Sequence, residues 1–243
     1  MRIAAVIALA LPLVAQEPLL RIPPARTSVE VDREPIAITA SGAVWKGAKP
    51  DSYTLSLSAD LSDLQAHVTD ILRAHLDRNE PCGERIAIQR AALVPAQPVA
   101  VLTAEMHFER WACMKALGKT INKRLVAGDG VVPVKLTPVL ENSTRARLDA
   151  EVGEIQADGT LGELLRSGSL GESLREKIRS SVQSALDKAT DFRATLPPVL
   201  QDLVRLRSLH FADGGAGRLV LTLDAEAVIS VAQMQQLRGS LKR

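Results

Sequence analysis

Cys82 and Cys113, the two cysteines of the chain, sit just outside a stretch that reads as two strands folded about a turn. No other feature restricts the fold as much. Glu84 to Val94 is strand-like, with Ile86, Ile88, Ala92 and Val94 on one parity. Val99 to Trp111 alternates Leu102, Ala104, Met106 and Phe108 with Thr103, Glu105, His107 and Glu109, the period of two of a strand with one buried face. Pro95-Ala96-Gln97-Pro98 lies between them and makes the turn, since proline cannot donate to a ladder. With Val94 opposite Val99, paired residue numbers sum to 193, and those of Cys82 and Cys113 sum to 195. The thiols therefore come within about one pair of meeting, and a disulfide tying the open end of the hairpin is expected, worth ~3 kcal/mol on chain-entropy grounds.

The N-terminus fits that chemistry. Met1-Arg2, an apolar run from Ile3 to Val14 and then Ala15-Gln16-Glu17 have the parts of a secretory signal peptide. The run is too short to span a bilayer, which takes ~20 residues. Residues 1–15 are thus expected as a leader, cleaved or retained as an anchor, and the protein as periplasmic or secreted, where a disulfide persists. Residues 16–27, with Pro18, Pro23 and Pro24, read as an extended leader to a single domain over 28–243. The net charge of +2 gives no reason to expect nucleic acid. Aromatic residues make up only 2% of the chain, so the core must be built from branched aliphatic and small side chains.

Along the chain, Ser28 to Ala40 reads as a strand interrupted at Pro35, Ser41 to Pro50 as a loop, and Ser52 to Ser58 as a half-buried strand. Asp60 to Arg78 is a helix, with Leu61, Leu64, Val68, Ile71, Leu72 and Leu76 at three- and four-residue steps and Asp60 as its N-cap. Met114 to Ala127 has no clear period. Gly128-Asp129-Gly130 reads as a turn, followed by a strand at Val132, Val134 and Leu136 whose prolines mark it as an edge strand or one with a local break. Ala146 to Val152 is another strand. Thr160 with Glu163, and Ser169 with Glu172, begin helical runs. The second carries Leu174, Ile178, Val182 and Leu186 along one stripe and ends at Leu196-Pro197-Pro198. Strands at Leu203–Ala212 and Arg218–Leu223 flank a glycine-rich turn, and a helix from Ser230 closes the chain. Strands joined by short turns are antiparallel. The fold class is α+β, a curved, mainly antiparallel sheet wrapped on two main amphipathic helices.

No catalytic motif emerges. Ser167-Gly168-Ser169-Leu170-Gly171 lacks the first glycine of a nucleophile elbow. His67 and His75 are eight apart on a helix, out of line for a shared metal, and neither a metal nor another cofactor is expected. Lys115, Lys119, Lys123 and Arg124 suit anionic headgroups, an acidic partner or a solvated face. Asn142, Ser143 and Thr144 fit a glycosylation sequon.

The order of elements, together with Gly159-Thr160-Leu161-Gly162 and Leu196-Pro197-Pro198, resembles one unit of the tubular lipid-binding superfamily. That resemblance implies a sheet curved about a helix and acyl chains held within, in a chain long enough for a single unit. The expected function is exported, non-enzymatic binding or transfer of a lipid or other hydrophobic small molecule, in an apolar groove between sheet and helices. Leu64, Val68, Ile71, Leu102, Met106, Phe108, Ile178 and Val182 are its candidate lining. The same side chains serve equally as an ordinary core, and then the chain is a structural or assembly module of the cell envelope, meeting a membrane surface or an envelope protein. A hydrolase would require a convergent cluster around His107 or His210 in a cleft.

Overall fold

The computed structural model describes residues 17–31, 34–116, 119–141, 146–167, 169–187 and 204–228. The leader run, the sequon, Leu196-Pro197-Pro198 and the closing helix from Ser230 lie outside the described residues. In chain order the elements are β1 (Leu20–Val31), β2 (Glu34–Lys46), β3 (Ser52–Asp60), α1 (Ser62–Leu76), β4 (Arg78–Asn79), β5 (Gly83–Ala96) and β6 (Val99–Ala116). They continue as β7 (Lys119–Leu140), β8 (Ala146–Val152), β9 (Gln156–Ala157), α2 (Gly159–Ser167), α3 (Ser169–Asp187), β10 (Val204–Asp213) and β11 (Leu219–Val228). Every strand pairing is antiparallel. Among the described residues the protein is α+β, as expected, but with two sheets rather than one, ordered β1-β2-β3-β11-β10 and β4-β5-β6-β7-β8, with β9 on β7.

The first sheet departs from the sequence reading in three places. Val31 pairs with Glu34, so the interrupted strand around Pro35 is a hairpin, and the segment expected as a leader is already paired from Leu20 onward. Pro23 and Pro24 are accommodated at a register shift on the sheet's outermost strand, where missing donors cost no ladder bond. The expected loop from Ser41 is instead the second half of β2. Its glycine is a packing device: a Cβ at Gly42 would stand 2.6 Å from Leu57 Cδ2 and 2.7 Å from the Ser56 carbonyl.

In the second sheet the cysteine-flanked hairpin forms with the expected disulfide but in a shifted register, with Val99 opposite Ala96 rather than Val94. Ala96 pairs with Val99, Val94 with Val101, and Cys82 is bonded to Cys113 across 5.5 Å between Cα atoms. One detail corrects the parity. A bulge between Ile88 and Arg90 inserts a residue, so Ile86 and Ile88 face the core, Leu93 takes over beyond the bulge at 5% exposure, and Val94 faces out at 45%. Gly128-Asp129-Gly130 is not a turn but the middle of β7. A Cβ at Gly128 would lie 3.0 Å from Leu161 of α2, and one at Gly130 would lie 3.3 Å from the Gln156 carbonyl of β9. These glycines let a helix and a strand approach β7 closely. β7 is an interior strand, and Pro133 falls at the gap between β8 and β9, the local break that the sequence offered as one option.

Helix α1 begins two residues inside the expected start and ends two before the expected end, and its N-cap is Leu61 rather than Asp60. Asp60 Oδ1 accepts from the Ser62 N–H at 2.9 Å, which satisfies one of the free donors of the first turn. Its apolar face packs Val68, Leu72 and Leu76 into a core shared with β5, β6, β7, α2 and α3. Its polar stripe does something else. Gln65, Thr69, Arg73 and Asp77 recur every four residues and bond to β5, whose partner on that side, β4, reaches only Arg85 and Ile86. Gln65 Nε2 donates to the Leu93 carbonyl at 2.8 Å, Thr69 Oγ1 donates to the Ala91 carbonyl at 3.1 Å and accepts from its N–H at 3.0 Å, Arg73 donates to the carbonyls of Ile88 and Gln89 at 3.0 and 2.7 Å, and Asp77 accepts from the Ile88 N–H at 2.7 Å. The helix thus satisfies a strand edge that would otherwise be left unpaired.

Gln65 also joins the two sheets. Its amide donates to the Gly217 carbonyl at 3.0 Å and accepts from the Leu219 N–H at 2.8 Å, at the β10–β11 hairpin. Gln65→Leu is expected to lower stability by ~2–3 kcal/mol, because it strands three backbone groups. Gln65→Glu, which keeps the acceptor for Leu219, is expected to lose less, and urea unfolding of both variants checks the order.

Candidate functional site

The inner face of the second sheet is the first candidate. Leu102, Met106, Phe108 and Val68 are 1–6% exposed and Ile178 is 3% exposed, and all join one cluster against which the half-buried Leu64 packs. Ile71 is buried but lies outside that cluster. Val182 is on α3, and its side chain is outside the described residues. The structure therefore brings most of the expected lining together, as a closed apolar interior. Among the described residues no polar or charged residue is buried.

The helices reach this face from opposite sides. α1 packs mainly on β5 and α3 mainly on β8, α2 covers part of β7, and α1 and α3 barely touch each other. The far end of the face is charged. Glu84, 11% exposed, accepts from Arg110 Nη1 and from Lys177 Nζ of α3, each at 2.5 Å. Two cations on one carboxylate leave a net positive charge there. Nothing in the local sequence flags this trio, because Lys177 stands 93 residues from Glu84.

A second candidate lies on the other face of the same strands. A cleft of about 450 Å³ is bounded by Asp77, Arg78, Arg85, Ala87, His107 and Glu109, among others. His107 and Asp129 are direct cross-strand partners, and His107 Nδ1 is 2.8 Å from Asp129 Oδ1, with Gln89 Nε2 donating to the same oxygen at 2.9 Å. Glu109 accepts from the Trp111 indole at 2.7 Å and from Arg124 at 3.2 Å, and the Arg85 guanidinium lies 4.4 Å from the Trp111 ring centroid. This is the cluster around His107 that a hydrolase would need. However, the cleft has no serine, threonine or cysteine among its lining residues, so an oriented imidazole has no side-chain nucleophile to activate. His210 is on β10, opposite Thr222. Among the described residues no group of three or more His, Cys, Asp or Glu side chains is placed to hold a metal.

The carboxylates of this cluster are stabilised as anions. The His107 hydrogen bond, followed by its charge and the Gln89 bond, holds Asp129 below the usual carboxylate range. The Trp111 N–H does the same for Glu109, with help from Arg124. Such groups stabilise the fold above their unfolded pKa, and the contribution is lost as pH falls through the depressed folded value. His107→Ala is expected to return the Asp129 titration, followed by carboxyl carbon NMR, toward the ordinary carboxylate value. An unchanged midpoint would mean that the pair does not persist in solution.

No protein-family model matches the chain, and no curated protein matches it. Among solved structures, the crystal structure of lipopolysaccharide binding protein aligns with 73% of this chain and 44% of that one, at 14% identity and a TM-score of 0.41. The chain thus spans less than half the length of that protein.

Proposed function

We propose that the protein is an exported, non-enzymatic carrier that binds and transfers a lipid or another hydrophobic small molecule, holding acyl chains between the second sheet and its helices. One observation carries this reading. α1 and α3 stand on opposite edges of the sheet and barely touch, and the side chains between them are apolar up to the charged Glu84–Arg110–Lys177 group at the far end. Separating the helices would open the inner face without breaking any strand pairing. Leu64, Val68, Leu102, Met106, Phe108 and Ile178 line the space so formed. Each CH₂ kept out of water is worth ~0.8 kcal/mol, so a long acyl chain supplies the driving force with no catalytic group. The disulfide and the leader-like N-terminus support export.

A second reading has its own support. The lining is closed in this conformation, with Phe108 1% and Met106 2% exposed, which suits a filled core in an envelope assembly module. Native mass spectrometry of the protein purified from the exporting compartment, followed by organic extraction, separates the two. Stoichiometric lipid supports the carrier. A clean apo mass, with no uptake from offered vesicles, overturns it and leaves the assembly module.

A further inference from the structure

The β6–β7 hairpin outruns its neighbours. β5 stops pairing with β6 at Trp111, whereas β6 and β7 stay paired to Ala116 and Lys119. Ala112 to Ala116 and their partners are therefore a two-stranded projection, about 15 Å long at ~3.3 Å per residue. Met114 and Ile121 are cross-strand partners on this projection. They are 55% and 50% exposed, and Leu125 at the nearby register shift is 59% exposed. Three of the six large apolar side chains exposed among the described residues thus fall within one hairpin end, and the other three, Leu19 before β1, Val94 on β5 and Val228 on β11, are far apart in sequence.

The charge along this stretch of chain has one sign. From Arg110 to Gly128 the sequence holds Lys115, Lys119, Lys123 and Arg124 and no acidic residue, in a chain that as a whole nearly balances 30 basic against 28 acidic residues. Arg124 is bonded to Glu109, while Lys115 and Lys123 have no ion pair among the described residues. Lys123 is in register with Ala112, on the same face as the Met114–Ile121 pair, and Lys115 is on the opposite face. Lysines alone would suffice to discourage pairing at a free hairpin end. They do not account for methionine, isoleucine and leucine exposed beside them.

We propose that this projection docks on the surface of an anionic phospholipid bilayer, with Met114, Ile121 and Leu125 entering the headgroup–acyl boundary and the cations meeting lipid phosphates. Apolar side chains that reach past the headgroups, with Lys123 beside them and Lys115 on the opposite face, match the chemistry of such a surface on both counts. The docking surface is separate from the core and does not depend on whether the core holds a lipid.

Co-sedimentation of the disulfide-intact protein tests it. One set of vesicles is phosphatidylcholine, and the other is equal parts phosphatidylcholine and phosphatidylglycerol. Binding is expected to the anionic vesicles and to fall as salt is raised. Lys115→Glu with Lys123→Glu is expected to weaken it at least ~25-fold, at about fivefold for each cation lost. Met114→Ser with Ile121→Ser is expected to weaken it while leaving the melting temperature unchanged, since both side chains are largely in solvent. Equal binding to both vesicle types, or variants that bind as the parent does, would overturn the proposal. So would failure to bind vesicles combined with lysine-dependent retention on polyglutamate, which would assign the patch to an acidic protein partner.

Discussion

Phe108→Ala is expected to lower the unfolding free energy by about 3–5 kcal/mol, the range for truncating a fully enclosed phenylalanine. Phe108 is 1% exposed, lies opposite Ile86 and Gly128 in the sheet, and belongs to the cluster that includes Leu161 and Leu165 of α2 and Leu174 and Ile178 of α3. Its removal therefore leaves a void at the junction of three elements rather than a surface dimple. Urea unfolding reads the loss directly. The same variant also bears on function. If acyl chains enter this interior, added lipid is expected to restore part of the lost stability by binding the folded state alone. A filled core gives the full loss with no recovery. A loss below ~1 kcal/mol would mean that the side chain faces an open groove even without lipid.

Cys82→Ala with Cys113→Ala is expected to cost roughly 3 kcal/mol globally, from the 31-residue separation the bond closes. The local consequence is more specific. The bond lies where the third strand ends, at the base of the two-stranded projection, and an isolated hairpin is marginal in water. Amide exchange is expected to accelerate at Ala112–Ala116 and Thr120–Lys123 well before it does at Leu102–Phe108. Uniform acceleration along β6 would show that the disulfide acts only through the unfolded chain.

The cysteine-flanked hairpin was legible in the sequence because a proline-marked turn and two thiols restrict register from opposite ends. What lay between them was less so. The bulge at Gln89 leaves no compositional mark, so the parity of Leu93 and Val94 could not be read without the Arg73 side chain that bonds the carbonyls of Ile88 and Gln89. Met114 to Ala127 looked irregular for a physical reason: alternation encodes a strand only where one face is buried, and here the hairpin extends beyond the third strand. The glycines of β7 and β2 imitate turns, yet they are demanded by Leu161 and Leu57 passing close by. As for the sites, the apolar residues of the inner face were identifiable from their periods. The His107–Asp129 and Glu84–Lys177 contacts depend on register and on helix placement, neither of which a local window contains. The four-residue repeat of Gln65, Thr69, Arg73 and Asp77 was present in the sequence, and a search for polar as well as apolar stripes would have found it.

That repeat makes the two helices unequal. Freeing α1 would break a file of bonds to β5 and expose a strand edge able to recruit another chain, whereas among the described residues α3 is latched to the second sheet by the single Lys177–Glu84 ion pair and by aliphatic contacts. The asymmetry sets a direction for any opening of the interior: α1 stays as the fixed wall, and α3, held by one ion pair and apolar packing, gives way first. The approach of an anionic surface could compete for Lys177 and release it.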